Sequence, residues 1–93
     1  METIGPVDVT PFAHRVGALL WSSYNGQRKG EALADVLLGR YDPSARLPSI
    51  WYRSTAQIPP ITDYALRPGQ GNPGRTYMYF RGALSYPFGY GRS

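Results

Sequence analysis

The chain predicts an α/β fold, read as the last portion of a doubly wound, mostly parallel sheet domain. A long irregular loop and an aromatic C-terminal strand complete it. Three observations carry this prediction. Val16–Trp21 is an unbroken apolar run without alternation, as expected of a strand buried on both faces. From Gln27 the pattern changes to helical spacing, with Leu33, Val36 and Leu37 on one side and Gly39 where a helix-terminating glycine belongs. Thr76–Phe80 then alternates Tyr77 and Tyr79 with Met78 and Phe80, a period-two pattern that predicts a strand.

Taken in order, residues 1–15 read as irregular. Gly5-Pro6 interrupts regular structure, and Val7–Val9 is at most a short extended piece. After the predicted strand at 16–21, Ser22–Gly26 forms a loop in which Asn25-Gly26 is the turn signal. In the following helix Ala32 and Ala34 fill the apolar side, while Arg28, Glu31 and Asp35 occupy polar positions. Strand, loop and amphipathic helix make half of a βαβ unit. Asp42-Pro43 starts a turn that runs to Arg46. Leu47–Tyr52 predicts a second strand, confined by Pro48 to an edge or a late start. Residues 53–73 are rich in proline and glycine and predict a long ordered loop, a feature that small domains accommodate best by draping it over another body. A parallel strand needs parallel neighbours, and this sequence offers few. The organisation is that of the final third of a larger sheet domain.

Bulk properties bound the possibilities. Ninety-three residues suit one small domain or a piece of a larger one. A hydrophobic share of 42% supports a modest core, whereas 11 glycines and 9 prolines imply many turns. There is no cysteine, so a disulfide-stapled secreted fold is excluded. That leaves an intracellular protein or a segment leaning on a larger body. The net charge of +4 suits nucleic acid or an anionic surface in principle. However, the arginines at 15, 28, 40, 46, 53, 67, 75, 81 and 92 form no run, and no nucleic-acid-binding motif accompanies them, so no nucleic-acid partner is assigned. No stretch is long enough to span a membrane, and the first fifteen residues lack the apolar centre of a signal peptide. Localisation stays open.

The chemistry-bearing residues are few. The acids are Glu2, Asp8, Glu31, Asp35, Asp42 and Asp63. Glu31 and Asp35 lie four apart on a solvated helix face, and Asp42 is a turn residue. Asp8 and Asp63 lie in loops, where capping of nearby backbone is the reading to beat. His14 is the single histidine and no cysteine accompanies it, so no metal site is predicted. No G-x-S-x-G elbow, G-x-G-x-x-G turn or phosphate loop is present, and no cofactor is expected. Trp21 and Tyr24 sit at the carboxyl end of the predicted buried strand, where α/β sheets place ligand sites. Their rings suit stacking on a sugar; packing against the helix or a neighbouring domain is the competing assignment.

Five phrases carry a resemblance to a known family. They are GPVDV at 5–9, ALLWSSYNGQ at 18–27, EALADVLLGRYDPSARLP at 31–48, PGRTYMYF at 73–80 and YPFGYG at 86–91. In this order and spacing they resemble the C-terminal α/β sandwich domain of glycoside hydrolase family 3, particularly its β-xylosidase-like and β-glucosidase-like members. The resemblance implies a partial αβα sandwich, residues 1–93 being the C-terminal portion of that domain and 53–73 a Pro/Gly-rich loop within it. Such enzymes pair a barrel, which carries an aspartate nucleophile, with the sandwich, which supplies an acid/base glutamate. They are retaining hydrolases acting at non-reducing ends, and full-length relatives are often exported. Neither catalytic motif maps onto a residue of this chain, so no catalytic residue is assigned.

The resemblance implies as partners the catalytic barrel, the remainder of the sandwich, and an oligosaccharide met through the complete enzyme. The expected role is that of a structural C-terminal fragment or subunit of a β-glycosidase, inactive alone. A stand-alone carbohydrate-binding or protein-interaction module is the alternative. Departures exist: Ala45 stands where glycine is usual, and Asn25 where proline is common. Met1–Ile4 replaces the end of an apolar strand, which suggests a truncated frame, a gene fragment or a split enzyme.

Overall fold

A computed structural model describes residues 1–92. In chain order it has a 3₁₀ turn at Ala13–Arg15, helix α1 at Lys29–Leu37, strand β1 at Trp51–Tyr52, a second 3₁₀ turn at Thr55–Gln57 and strand β2 at Leu84–Tyr86. One helix and one two-stranded sheet therefore organise the described residues.

Helix α1 forms where the apolar spacing places it, and its end is set by backbone chemistry. Gly39 adopts φ +71°, a left-handed conformation that costs a residue with a Cβ. This turns the chain so that the Gly39 N–H donates to the Val36 carbonyl and the Arg40 N–H to the Asp35 carbonyl. Carbonyls that the helix leaves unpaired are thereby satisfied. Arg28–Glu31 and Arg40–Asp35 ion pairs line the solvated face.

The sheet differs from the expected one. Strands β1 and β2 pair antiparallel, Trp51 opposite Tyr86 and Tyr52 opposite Leu84, with an irregularity between the two pairs. The predicted strand at Leu47–Tyr52 is cut to its last two residues, consistent with Pro48. Its first residue still joins the C-terminal segment: the Leu47 N–H donates to the Tyr90 carbonyl, and the Gly89 N–H to the Leu47 carbonyl. Side chains tighten the same seam. Arg53 Nε donates to the Leu84 carbonyl and Gln57 Nε2 to the Ala83 carbonyl.

The run at 16–21 is not a strand in the described residues. It is joined to the chain start by a single parallel bridge, Glu2 to Ser22. The Thr3 N–H donates to the Ser22 carbonyl, the Ser22 N–H to the Met1 carbonyl, and the Met1 amino group to the Leu20 carbonyl. A strand buried on both faces requires neighbours on both edges and cover above and below. Val16 instead remains 44% exposed. In place of the expected mostly parallel sheet, the described residues show an antiparallel pair, one parallel bridge and one antiparallel bridge, Gly69 to Asn72.

The predicted aromatic strand at Thr76–Phe80 is likewise corrected: it is a turn. Thr76 takes φ +78°, and its carbonyl accepts from the Tyr79 and Phe80 N–H groups. The alternation misleads because the backbone closes a local turn instead of a ladder, while the rings still find aromatic partners. Tyr77 stacks on Phe88 at 4.3 Å, whereas Phe80 meets Tyr52 edge-on at 4.8 Å. The C-terminal strand is Leu84–Tyr86, which contributes Tyr86.

Within 53–73 the chain is pinned rather than regular. Ser54 caps the short turn through the Ala56 N–H, and Gln57 Oε1 reaches back to the Arg53 and Ser54 N–H groups. Further on, Arg75 donates to the Pro60 and Asp63 carbonyls and lies over the Tyr64 ring. Asn72 Nδ2 donates to the Asp63 carboxylate, while its Oδ1 accepts from the Gly74 N–H. A long segment with few apolar anchors stays ordered this way by satisfying its backbone with side chains.

The core is small. Val9, Ile50 and Trp51 are its buried hydrophobic residues among those described. Trp51 lies edge-on to Trp21 at 5.6 Å and to Tyr86 at 6.0 Å, and Tyr86 continues to Tyr90 at 4.9 Å. Such edge-to-face pairs place ring hydrogens on the negative faces of neighbouring rings.

Candidate functional site

Five of the six acidic side chains are held by ion pairs or backbone-capping bonds. Glu2 pairs with Lys29, Glu31 with Arg28, and Asp35 with Arg40. Asp8 accepts from the Thr10 N–H, closing a turn, and Asp63 accepts from the Ala65 N–H and from Asn72. Asp42 is exposed in the segment after α1. His14 is exposed in the first 3₁₀ turn. Among the described residues, no three His, Cys, Asp or Glu side chains gather as a metal site would require. No helix of the described residues is long and apolar enough to cross a membrane.

Trp21 and Tyr24 diverge in their surroundings. Trp21 is half-buried; its indole N–H donates to Thr3 Oγ1 at 2.8 Å, and its ring packs on Trp51. The bond to Thr3 fixes the ring and uses its polar edge. Tyr24 is 75% exposed on the loop before α1. One of the pair is a packing residue with a partly open face, and the other a free surface ring.

A concavity lies elsewhere, between β1, the second 3₁₀ turn and the turn at 76–80. Its volume is about 550 Å³, and Tyr52, Tyr79 and Phe80 line it together with Pro59, Pro68 and Pro73. Two glycines shape this wall. Gly74 takes φ +81°, and a Cβ there would stand 2.9 Å from Pro68; a Cβ on Gly82 would meet the Phe80 ring at 2.5 Å. Gln57 also borders the cavity, but its amide is committed to Arg53, Ser54 and Ala83. Arg81 stands exposed at its edge. Chemically this is an apolar, ring-lined hollow with little convergent polarity. It suits a flat hydrocarbon face or another protein surface better than an ion. Its aromatics were visible in the sequence, but reading 76–80 as a strand separated Tyr79 from Phe80.

A second hollow of about 260 Å³, also bordered by Tyr52, lies between Pro6–Asp8 and Ser54–Ile58. Thr10 Oγ1 ties these two stretches together by donating to the Arg53 carbonyl.

Comparison with known proteins places this architecture. The family model for the glycosyl hydrolase family 3 C-terminal domain matches residues 1–93. Beta-D-xylosidase 1 of Arabidopsis thaliana is 42% identical over 94 aligned positions, which cover 96% of this chain and 12% of the relative. Exo-1,4-beta-xylosidase xlnD of Aspergillus oryzae is 46% identical over 77 positions, covering 82% of this chain and 10% of the relative. Beta-xylosidase/alpha-L-arabinofuranosidase 1 of Medicago sativa is 42% identical over 82 positions, covering 85% of this chain and 11% of the relative. The chain thus spans about a tenth of the length of these curated relatives. With its full length matched by the family model, the chain belongs to the glycosyl hydrolase family 3 C-terminal domain family.

Proposed function

We propose that this chain is a structural part of a retaining β-glycosidase that acts on xylo- or gluco-oligosaccharides. It completes the αβα sandwich, packs against the catalytic barrel and shapes the rim of the pocket. The observation that carries the reading is exposed apolar surface. Leu33, Leu37 and Leu38 of α1 and its C-terminal turn are 43%, 68% and 65% exposed. In the run at 16–21, only the Leu20 carbonyl takes part in a backbone-directed bond among the described residues. An amphipathic helix that follows an apolar segment with a free backbone edge supplies half of a sheet-and-helix layer. The missing half is a partner sheet.

The carboxylates support the same assignment. Retaining hydrolysis needs two carboxyl groups about 5 Å apart across the scissile bond, one as nucleophile and one as acid/base. Ion pairs or backbone-capping bonds engage five of the six carboxylates, and Asp42 is exposed on the segment after α1. The purified chain should therefore not hydrolyse an aryl β-xyloside. Turnover above buffer that survives repurification and is abolished by substituting one of Asp8, Asp42 or Asp63 would overturn the proposal.

A second reading rests on the ring-lined cavity and on the surface ring of Tyr24. The chain would then be a carbohydrate-binding module using Trp21, Tyr24 and the loop at 53–73. Chemical-shift perturbation by xylobiose at Trp21, Tyr24 or Tyr79 in a folded monomer would favour it.

A further inference from the structure

The turn that joins the extended run to α1 holds the chemistry that neither reading uses. Asn25 and Gly26 are both exposed there. Nothing lies within 4 Å of where a Gly26 Cβ would stand, and the Gly26 N–H donates no backbone hydrogen bond among the described residues. We infer that Asn25 is a site of spontaneous covalent modification, at which the side-chain amide is lost through a cyclic imide closed by the Gly26 nitrogen.

The step balances with solvent alone. Hydroxide or water removes the Gly26 amide proton, and the nitrogen attacks Asn25 Cγ to form the new C–N bond. The Cγ–Nδ2 bond breaks, and the departing NH2 group takes one proton from water and leaves as ammonia. Water then opens the five-membered imide at either carbonyl. The product is aspartate, or isoaspartate with the backbone continuing through the former side chain. One water enters and one ammonia leaves. Glycine is the favourable successor because no Cβ shields its nitrogen.

The chain contains its own control. Its other asparagine, Asn72, is half-buried, bonded through both side-chain polar atoms and followed by Pro73, whose nitrogen has no hydrogen to lose. Ring closure is barred there.

The modification also has a structural consequence. Asn25 Nδ2 donates to the Ser23 carbonyl at 2.8 Å and to Ser22 Oγ at 3.1 Å. A carboxylate has no hydrogen to donate. Ser22 can rotate and donate instead, but the Ser23 carbonyl then faces a like partial charge. The loop that carries Tyr24 opens, and the formal charge falls by one from +4.

The test is peptide mapping of the purified 93-residue chain after incubation at mildly alkaline pH. Tryptic cleavage after Arg15 and Arg28 isolates Asn25 in the peptide 16–28. The expected result is a gain of about one dalton at residue 25, with none at Asn72. Its rate should lie within about tenfold of the synthetic peptide 16–28, a barrier difference below about 1.4 kcal/mol. Gly26→Ala, for which the backbone is compatible and the space open, should slow the gain about tenfold, equivalent to about 1.4 kcal/mol on the barrier. An unmodified chain under conditions that convert the free peptide would overturn the inference. So would equal rates for Gly26→Ala and the parent chain, because closure would then not pass through the Gly26 nitrogen.

Discussion

Trp51 shows how much a single residue decides in a chain with so small a core. It is 1% exposed and touches Trp21 on one side and Tyr86 on the other, so it joins the N-terminal third of the chain to the C-terminal strand. Its indole N–H is buried without an acceptor among the described residues. An unsatisfied donor of this kind offsets part of the packing gain, by about 1–3 kcal/mol. Trp51→Ala should still lower stability by about 3–5 kcal/mol, because the lost contact area and the cavity outweigh the removed orphan donor. Tyr24→Ala, at a surface ring, should stay within about 0.5 kcal/mol. Urea denaturation of the two variants, followed by tryptophan fluorescence for Tyr24→Ala and circular dichroism for both, checks the contrast. Equal destabilisation would show that the aromatic junction is not the centre of the fold.

At the scale of elements, α1 was the most legible part of the sequence. Its apolar spacing, its solvated ion pairs and Gly39 agree with one another, and none depends on a distant partner. The strands were legible only in part. The apolar run at 16–21 reads as a strand, yet the described residues show one bridge at its end and no ladder. The pattern at 76–80 has period two without a ladder, because Thr76 closes a local turn. The apolar side of α1 provides an element-level prediction. Leu37→Lys should change the stability of the isolated chain by no more than about 0.5 kcal/mol, as at other exposed sites. In a longer protein that includes the rest of the sandwich, the same change should cost several kcal/mol, on the order of 2–5 kcal/mol for a buried leucine. Matched urea curves on the two proteins decide it, and a silent substitution in both would remove α1 from the proposed interface.

The whole molecule is more open than its length requires. A folded monomer of 10.3 kDa exposes about 5,400 Å², whereas this chain exposes 7315 Å². Its radius of gyration is 15.7 Å, against roughly 12 Å for a compact domain of this length. The excess surface is of the size that one partner contributes to a large permanent interface. The isolated chain should accordingly unfold over a broad range of urea, with a slope near the low end of about 1–3 kcal/mol/M, or associate with itself. A sharp monomeric transition, recorded with the molecular mass in solution, would instead favour the binding-module reading.

By itself, the sequence determined the helix and its end, the capping of nearby backbone by Asp8 and Asp63, and the family. All of these follow from interactions a few residues apart or from phrases that survive as short patterns. Only the tertiary structure decided that Trp21 is tied by Thr3 and packed on Trp51, that Tyr79 and Phe80 share one hollow with Tyr52, and that β1 pairs antiparallel with β2. Those outcomes depend on which distant segments meet. A side-chain pattern tells which face of a segment wants cover, but what covers it is chosen by the rest of the chain.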